Sequence, residues 1–173
     1  MPSSPLLQRA TQADAKRLEN LLELYIHDMS EFLPLQPGAD GRFGYDRLAL
    51  YWSEPATRHA FLIRSDGGLA GFALVMRGSP ASDDPRALDV GEFFVLRRHR
   101  RSGIGRAAAI ALWDELPGSW VVRVSQANRA GIPFWSEVIR AYTGGDFAER
   151  TLPEKPSPRR VFSFESRKRI RSA

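Results

Sequence analysis

The chain contains no cysteine. Disulfides, a thiolate nucleophile and cysteine-ligated zinc are therefore excluded. Histidine is scarce too: His27, His59 and His99 stand too far apart to make a metal-ligand pattern. No metal is expected. No apolar run approaches the roughly 20 residues that a membrane helix needs. The start, Met1-Pro2-Ser3-Ser4-Pro5, lacks the basic opening and apolar centre of a signal peptide. The expectation is a cytoplasmic protein that does not enter a membrane. There is also no internal repeat and no low-complexity segment.

What is present points to one ordinary domain. The 173 residues are 43% hydrophobic and 26% charged, which suits a soluble chain able to bury a real core. The domain is expected over 4–168, followed by a basic tail, 169–173. The net charge of +5 is modest, but basic residues gather in 97–106 and 159–171. Only the first cluster sits on a loop built to bind something.

That loop organises the chain. A strand-like run, Leu88 to Val95, leads into Leu96-Arg97-Arg98-His99-Arg100-Arg101-Ser102-Gly103-Ile104-Gly105-Arg106, and an alanine-rich helical run, Ala107 to Leu116, leaves it. Amides in a helix's first turn lack intrahelical partners, and the helix dipole favours negative charge there. Gly103 and Gly105 allow a tight turn and the close approach of a phosphate. The pattern is neither Gly-x-x-x-x-Gly-Lys-Ser/Thr nor Gly-x-Gly-x-x-Gly, so a nucleoside-triphosphate loop and the dinucleotide fingerprint both fail. Arg100-Arg101-Ser102-Gly103-Ile104-Gly105 does match Arg/Gln-x-x-Gly-x-Gly/Ala. Here the sequence resembles the GNAT superfamily of acyl-CoA-dependent N-acetyltransferases. In that family the loop grips the pyrophosphate of coenzyme A through backbone amides. The resemblance implies that Phe94, Val95, Arg100, Arg101, Ser102, Gly103, Ile104, Gly105 and Arg106 contact acetyl-CoA.

The rest of the chain keeps the family's order. Thr11-Gln12-Ala13-Asp14 reads as a capping box. Leu18, Leu21, Leu22, Tyr25 and Met29 then predict an amphipathic helix over 12–30. A loop with Pro34, Pro37, Gly38, Gly41 and Gly44 precedes a short helix, about Tyr45 to Trp52. In the family these helices cover the acceptor pocket, which makes Tyr25 and Phe32 candidate acceptor contacts, with His27, Asp28 and Phe43 beside them. Strands Ala60–Arg64 and Leu69–Met76 flank Asp66-Gly67-Gly68, a hairpin turn. Gly91 inside the strand Leu88–Val95 suggests a bulge. It coincides with the place where the family strand splays to admit pantetheine.

The helix from Ile104 carries a stripe of Ile104, Ala108, Ala111, Leu112 and Glu115. Strand Trp120–Val124, a helix reaching Tyr142, and strands Phe147–Leu152 and Val161–Glu165 complete the order. Asn128 and the aromatic pair Phe134-Trp135 resemble the family's late segment, which implies that Asn128 and Trp135 also contact acetyl-CoA. With a weak first strand near Leu6–Ala10, the resemblance spans nearly the whole chain. It implies an α/β single-domain GNAT-like fold, with a central mixed, mostly antiparallel sheet flanked by about four helices.

Acetylation of an amine by a thioester needs positioning, loss of the ammonium proton, oxyanion stabilisation and protonation of the leaving thiolate. Glu92, on the strand beside the cofactor and next to Phe93 and Phe94, is the candidate base, and burial would raise its pKa. Asp89 is the second choice. Many family members carry tyrosine as the second residue of the late aromatic pair. This chain has Trp135, and indole is not a comparable acid. Tyr142 lies two helical turns further on, roughly 10 Å away.

Three functions compete. The first is N-acyl transfer from acetyl-CoA to a primary amine of a small molecule or protein. The second is a non-catalytic acyl-CoA-binding sensor or partner protein. The third, a nucleic-acid binder, is disfavoured because residues 97–106 hold no aromatic to stack on a base, so no nucleic-acid partner is expected. The acceptor and the choice between monomer and homodimer are not legible in the sequence.

Overall fold

Alternating apolar residues build the strands and decide which face each helix covers. The computed structural model describes residues 6–166; the expected domain ends at 4 and 168 and the basic tail 169–173 lie outside the described residues. Seven strands form one sheet in the order β1-β2-β3-β4-β5-β7-β6. They are β1 (Leu7–Arg9), β2 (Arg58–Ser65), β3 (Gly68–Arg77), β4 (Leu88–Val95), β5 (Gly118–Ser125), β6 (Ala148–Leu152) and β7 (Arg159–Ser166). Among the described residues only β4 and β5 pair in parallel, so the sheet is mixed and mostly antiparallel. The hairpin between β2 and β3 turns at Asp66 and Gly67, with φ of 51° and 76°, as an Asp-Gly turn of positive φ requires.

Four helices cover the sheet: α1 (Ala15–Met29), α2 (Leu50–Ser53), α3 (Ile104–Glu115) and α4 (Gly131–Thr143). On one face Leu18, Leu22 and Tyr51 pack on Leu62, Phe72, Leu74 and Phe94. On the other, Leu112, Trp113, Val138 and Ile139 pack on Phe61, Ala73, Val75, Val122 and Phe162. Leu62 against Phe61, and Leu74 against Ala73, are the period-two alternation of a strand covered on both sides.

Three expectations change in detail. The helix over 12–30 is a 3-10 turn, Gln12–Asp14, followed by α1. There the Asp14 carboxylate accepts the Thr11 amide at 3.1 Å. The helix at Tyr45–Trp52 is a 3-10 turn, Asp46–Ala49, running into the single-turn α2. In α3 the buried face is Ala108, Ala109, Leu112 and Trp113, and Glu115 is exposed. The wide Trp113 ring needs the core, so the helix turns that side inward.

Gly91 is a bulge. Leu74 pairs with Glu92 and Val75 with Val90, which leaves Gly91 as the extra residue on β4. The extra residue puts Val90 and Phe93 on the α3–α4 side together. Asp89 and Glu92 consequently share the opposite face. The parallel pairing of β4 with β5 stops at Val90 and Val122, immediately before the bulge. Beyond that point the strands run on to Val95 and Ser125 unpaired with each other.

The base of this split is fixed by charge. Arg123, the first β5 residue past the pairing, donates from Nε to Asp89 at 2.8 Å and from Nη2 at 3.2 Å. Ser79 donates to the same carboxylate, and Asp89 is fully buried. Asp89→Ala should cost about 3–5 kcal/mol, because removing one partner leaves the largely buried Arg123 charge uncompensated. Urea denaturation checks this, and a loss below about 1 kcal/mol, the range of a surface pair, would contradict the buried pair.

Candidate active site

At the end of β4 the chain passes through a 3-10 turn, Arg97–His99, and reaches α3 through Arg100 to Gly103. The amides of His99 and Arg100 close that turn onto Leu96 and Arg97, and the first intrahelical bond of α3 is Ala107 N–H to the Gly103 carbonyl at 3.0 Å. Among the described residues, no acceptor pairs with the six consecutive amides from Arg101 to Arg106. Gly103 holds φ of 85° and Arg101 holds 61°. This left-handed pair of positions bends the backbone into a concave anion seat. The loop therefore offers donors that need an acceptor from outside the protein.

Its arginines divide into two groups. Arg97 and Arg100 both pair with Asp28 near the end of α1. Arg100 also donates from Nε to the Val95 carbonyl at 2.8 Å and lies over the Phe94 ring. These contacts lock the loop to β4 and α1. Burial pulls the Asp28 carboxyl upward, but the two guanidinium groups outweigh it and hold its pKa below the usual range. Arg98, Arg101 and Arg106 are exposed and meet no acidic side chain among the described residues. They leave a positive field around the free amides.

About a third of the way back along β4, Glu92 faces a cluster of phenols. Tyr25 of α1 donates to Glu92 Oε2 at 2.6 Å, and Tyr45 donates to Oε1 at 3.0 Å. The buried Tyr51 brings its hydroxyl to the backbone at Gly91. Burial raises the pKa of Glu92, and the two phenol donors and the charges of Arg123 and Arg159 oppose the rise without cancelling it. Burial and the nearby Glu92 charge in turn raise Tyr25 and Tyr45, and push Tyr51 up to about 12. The phenols thus stay neutral donors around a carboxyl group whose protonated form burial favours. Edge-on contacts of Tyr25 with Phe72 and Phe94, both at 5.8 Å, fix its ring.

This is a carboxyl group of raised pKa facing the side of a strand split, with an anion seat at the strand's end. The model of the Acetyltransferase (GNAT) family matches residues 18–138. The chain belongs to that family.

Solved structures of similar fold agree. Aminoglycoside acetyltransferase AAC(6')-Ib, crystallised with coenzyme A, superposes with a TM-score of 0.65 at 16% identity, covering 96% of this chain and 98% of that one. The yncA protein of Salmonella typhimurium, solved with acetyl-CoA, gives 0.64 at 17% identity and covers 99% of both chains. Spermidine N-acetyltransferase of Vibrio cholerae, solved with coenzyme A and spermine, gives 0.64 at 12% identity, covering 92% and 94%. No curated protein matches the chain in sequence.

Within this GNAT fold the residues singled out in the sequence fall into three places. Glu92, Tyr25, Phe94 and Val95 lie along the open half of β4 or against it. Arg101 to Arg106 form the anion seat; the Ser102 hydroxyl turns back to the His99 carbonyl at 2.6 Å. Arg100 has its guanidinium committed to Asp28 and Val95. Asn128 stands just before α4, its Oδ1 accepting the amide of Gly131, the helix's first residue, at 2.9 Å. Trp135 is buried, with its ring 5.0 Å from that of Phe93 on β4.

Phe32 lies past α1, its amide bonded to the Met29 carbonyl at 3.2 Å, and among the described residues no hydrogen bond or ring contact joins it to the Glu92 cluster. Tyr142 donates to Asp114 at 2.8 Å and stacks near Trp113 and Phe164, which occupies its hydroxyl away from β4. Asp89 is spent on Arg123 and Ser79. Among the described residues no three His, Asp or Glu side chains gather as a metal group, and no helix is long and apolar enough to cross a membrane.

Sequence reasoning missed Tyr45, Tyr51 and Arg123. Tyr45 and Tyr51 stand in a segment whose spacing marks only a short helix. Their convergence on Glu92, 47 residues away in the case of Tyr45, is a tertiary event. Tyr45 also stands in the wall of a cleft of about 540 Å3 on the outer flank of α1, a cleft that does not include Glu92.

Proposed function

We propose that the domain, taken as 4–168, is a cytoplasmic N-acetyltransferase that moves an acetyl group directly from acetyl-CoA to the primary amine of a small molecule or protein. The observation that carries this reading is the alignment of one strand. β4 leads through one short turn to six amides with no acceptor among the described residues, splits from β5 beyond Val90, and carries a carboxyl group of raised pKa on the same segment. On this reading the amides of Arg101 to Arg106 take the pyrophosphate of coenzyme A, and the pantetheine enters the split alongside Phe94 and Val95. Arg100 acts by fixing the loop, Asn128 by fixing the start of α4, and Trp135 by supporting Phe93 from beneath.

Glu92 then receives the proton of the incoming ammonium, directly or through one water. The amine nitrogen attacks the thioester carbonyl, the C–S bond breaks, and coenzyme A leaves as thiolate, which takes up through water the second proton that the nitrogen sheds on becoming an amide; the proton on Glu92 then returns to solvent. The rings of Tyr25 and Tyr45 and the Glu92 carboxylate offer an ammonium both charge and aromatic faces. Tyr25 is the acceptor contact this geometry favours. Phe32 has no such support.

A second reading, acyl-CoA binding without turnover, is favoured by one feature: indole stands at Trp135, where many family members carry a phenol. Free-thiol release from acetyl-CoA across a panel of primary amines separates the two. Amine-dependent release above the hydrolysis background supports transfer. Tight acetyl-CoA binding with no release for any amine supports the sensor.

A further inference from the structure

We propose that Glu23 is a positioning residue for this reaction, holding the loop that delivers the Tyr45 hydroxyl to Glu92. The proposal rests on the reading of Glu92 as the base. Glu23 lies on α1 two residues before Tyr25, and its carboxylate points at the loop. It accepts the Phe43 amide at 2.9 Å through Oε2 and the Gly44 amide at 2.8 Å through Oε1. Arg42 adds an ion pair at 3.7 Å. Residues 38–42 are otherwise bonded only among themselves, Gly38 to Arg42 and Gly41 to Gly38. Among the described residues, every hydrogen bond that ties 36–44 to another part of the chain ends on Glu23.

Tyr45 follows directly, and its hydroxyl reaches Glu92 Oε1 at 3.0 Å. A two-pronged, charge-assisted grip of this kind is both strong and directional. Gly44 sits at φ of 72°, a conformation open to glycine, and its amide follows that of Phe43 onto the same carboxylate. One carboxylate therefore sets where the phenol stands.

The consequence for Glu92 has a sign. Tyr25 from α1, Tyr45 from the loop, Arg123 from β5 and Arg159 from β7 all face Glu92 and favour its charged form, while burial disfavours it. Tyr51 lies beneath at Gly91, and Asp40 and Arg42 are the charges nearest Glu23. Losing the Tyr45 donor removes one stabiliser of the carboxylate, so the Glu92 titration moves upward. Tyr25 and Tyr51 still cover the group, so burial continues to act on it.

The test is a double-mutant cycle with two readouts. Glu23→Ala, Glu23→Gln, Tyr45→Phe and the Glu23→Ala/Tyr45→Phe pair are compared by kcat/KM against pH. The Glu92 carboxyl is titrated separately by 13C NMR in protein without substrate. Tyr45→Phe and Glu23→Ala should each lower kcat/KM roughly tenfold, the value of one charged hydrogen bond, at unchanged acetyl-CoA affinity. The pair should lose no more than either single variant. Glu23→Gln, which keeps one acceptor oxygen, should fall between wild type and Glu23→Ala.

In the NMR titration Glu92 should move upward in both single variants. A Glu92 titration in Glu23→Ala that coincides with wild type, or losses that simply multiply in the pair, would overturn the proposal. Should the Glu92 titration move as expected while kcat/KM shows no limb that follows it, Glu23 positions Tyr45 but Glu92 is not the base. If Glu23→Ala fails to fold, Glu23→Gln with Tyr45→Phe carries the same cycle.

Discussion

Glu92→Gln should lower turnover roughly 10²-fold or more, while acetyl-CoA affinity stays within a few-fold of wild type. Glutamine keeps the size of the side chain and an oxygen to accept one phenol, but it cannot accept a proton. Wild-type kcat/KM should rise with pH through one ionisation placed above the ordinary glutamate range, because burial raises the Glu92 pKa. The variant should lack that limb. Steady-state rates from pH 5 to 9 check both statements, and an unchanged profile at full rate would make Glu92 structural.

Stability gives an independent check on the same group. A carboxyl raised on folding contributes stability that is complete below its unfolded pKa and is lost as pH rises through the folded value. Above that point the charge on Glu92 opposes folding, so the melting temperature of wild type should fall relative to that of Glu92→Gln as pH rises through the ionisation. Asp14, Glu23 and Asp28 have lowered values and act oppositely. Their contribution is present above the unfolded pKa and fades as pH falls through the folded values.

The second large effect belongs to the anion seat. Gly103→Val and Gly105→Val should each abolish measurable acetyl-CoA binding in calorimetry, for different reasons. Gly103 has no neighbour that a Cβ would strike, but its φ of 85° excludes a β-branched residue. Valine there forces the loop out of the shape that aligns its amides. Gly105 has ordinary φ, yet a Cβ would lie 3.3 Å from Phe134 Cε2 and 3.6 Å from Val95 Cγ2. Valine there pries the first turn of α3 from β4 and α4. Arg101→Ala should weaken binding only a few-fold, and less at high salt, because an exposed charge is readily screened. Retained binding in both valine variants would take the loop out of the site.

Much of this was legible in the sequence, for identifiable reasons. Strand and helix periods, the Asp66-Gly67 turn and the Arg100–Gly105 motif are local signals, and the fold follows their order. Gly91 drew notice because a glycine inside a strand marks a bulge, a bend or a close approach, and the pairing register is what makes it a bulge. Glu92 stood out because it shares that strand with the loop.

The phenol cluster was not legible. Tyr25, Tyr45 and Tyr51 meet Glu92 only because α1 and α2 pack on the same sheet face, and no spacing in the chain encodes that meeting. Glu23 was hidden for a related reason: its partners are backbone amides, which carry no residue-type signature. The motif likewise does not reveal that the Arg100 guanidinium bonds to Asp28 and Val95, which depends on where α1 ends.

The seat of the cofactor is most directly tested by titrating coenzyme A into 15N-labelled protein. The amide resonances of Arg101 to Arg106 should shift together and saturate at one affinity, with Phe94 and Val95 moving in the same titration. Resonances that stay fixed in that segment, while residues lining the cleft beside α1 such as Phe43 and Trp52 respond instead, would contradict the account.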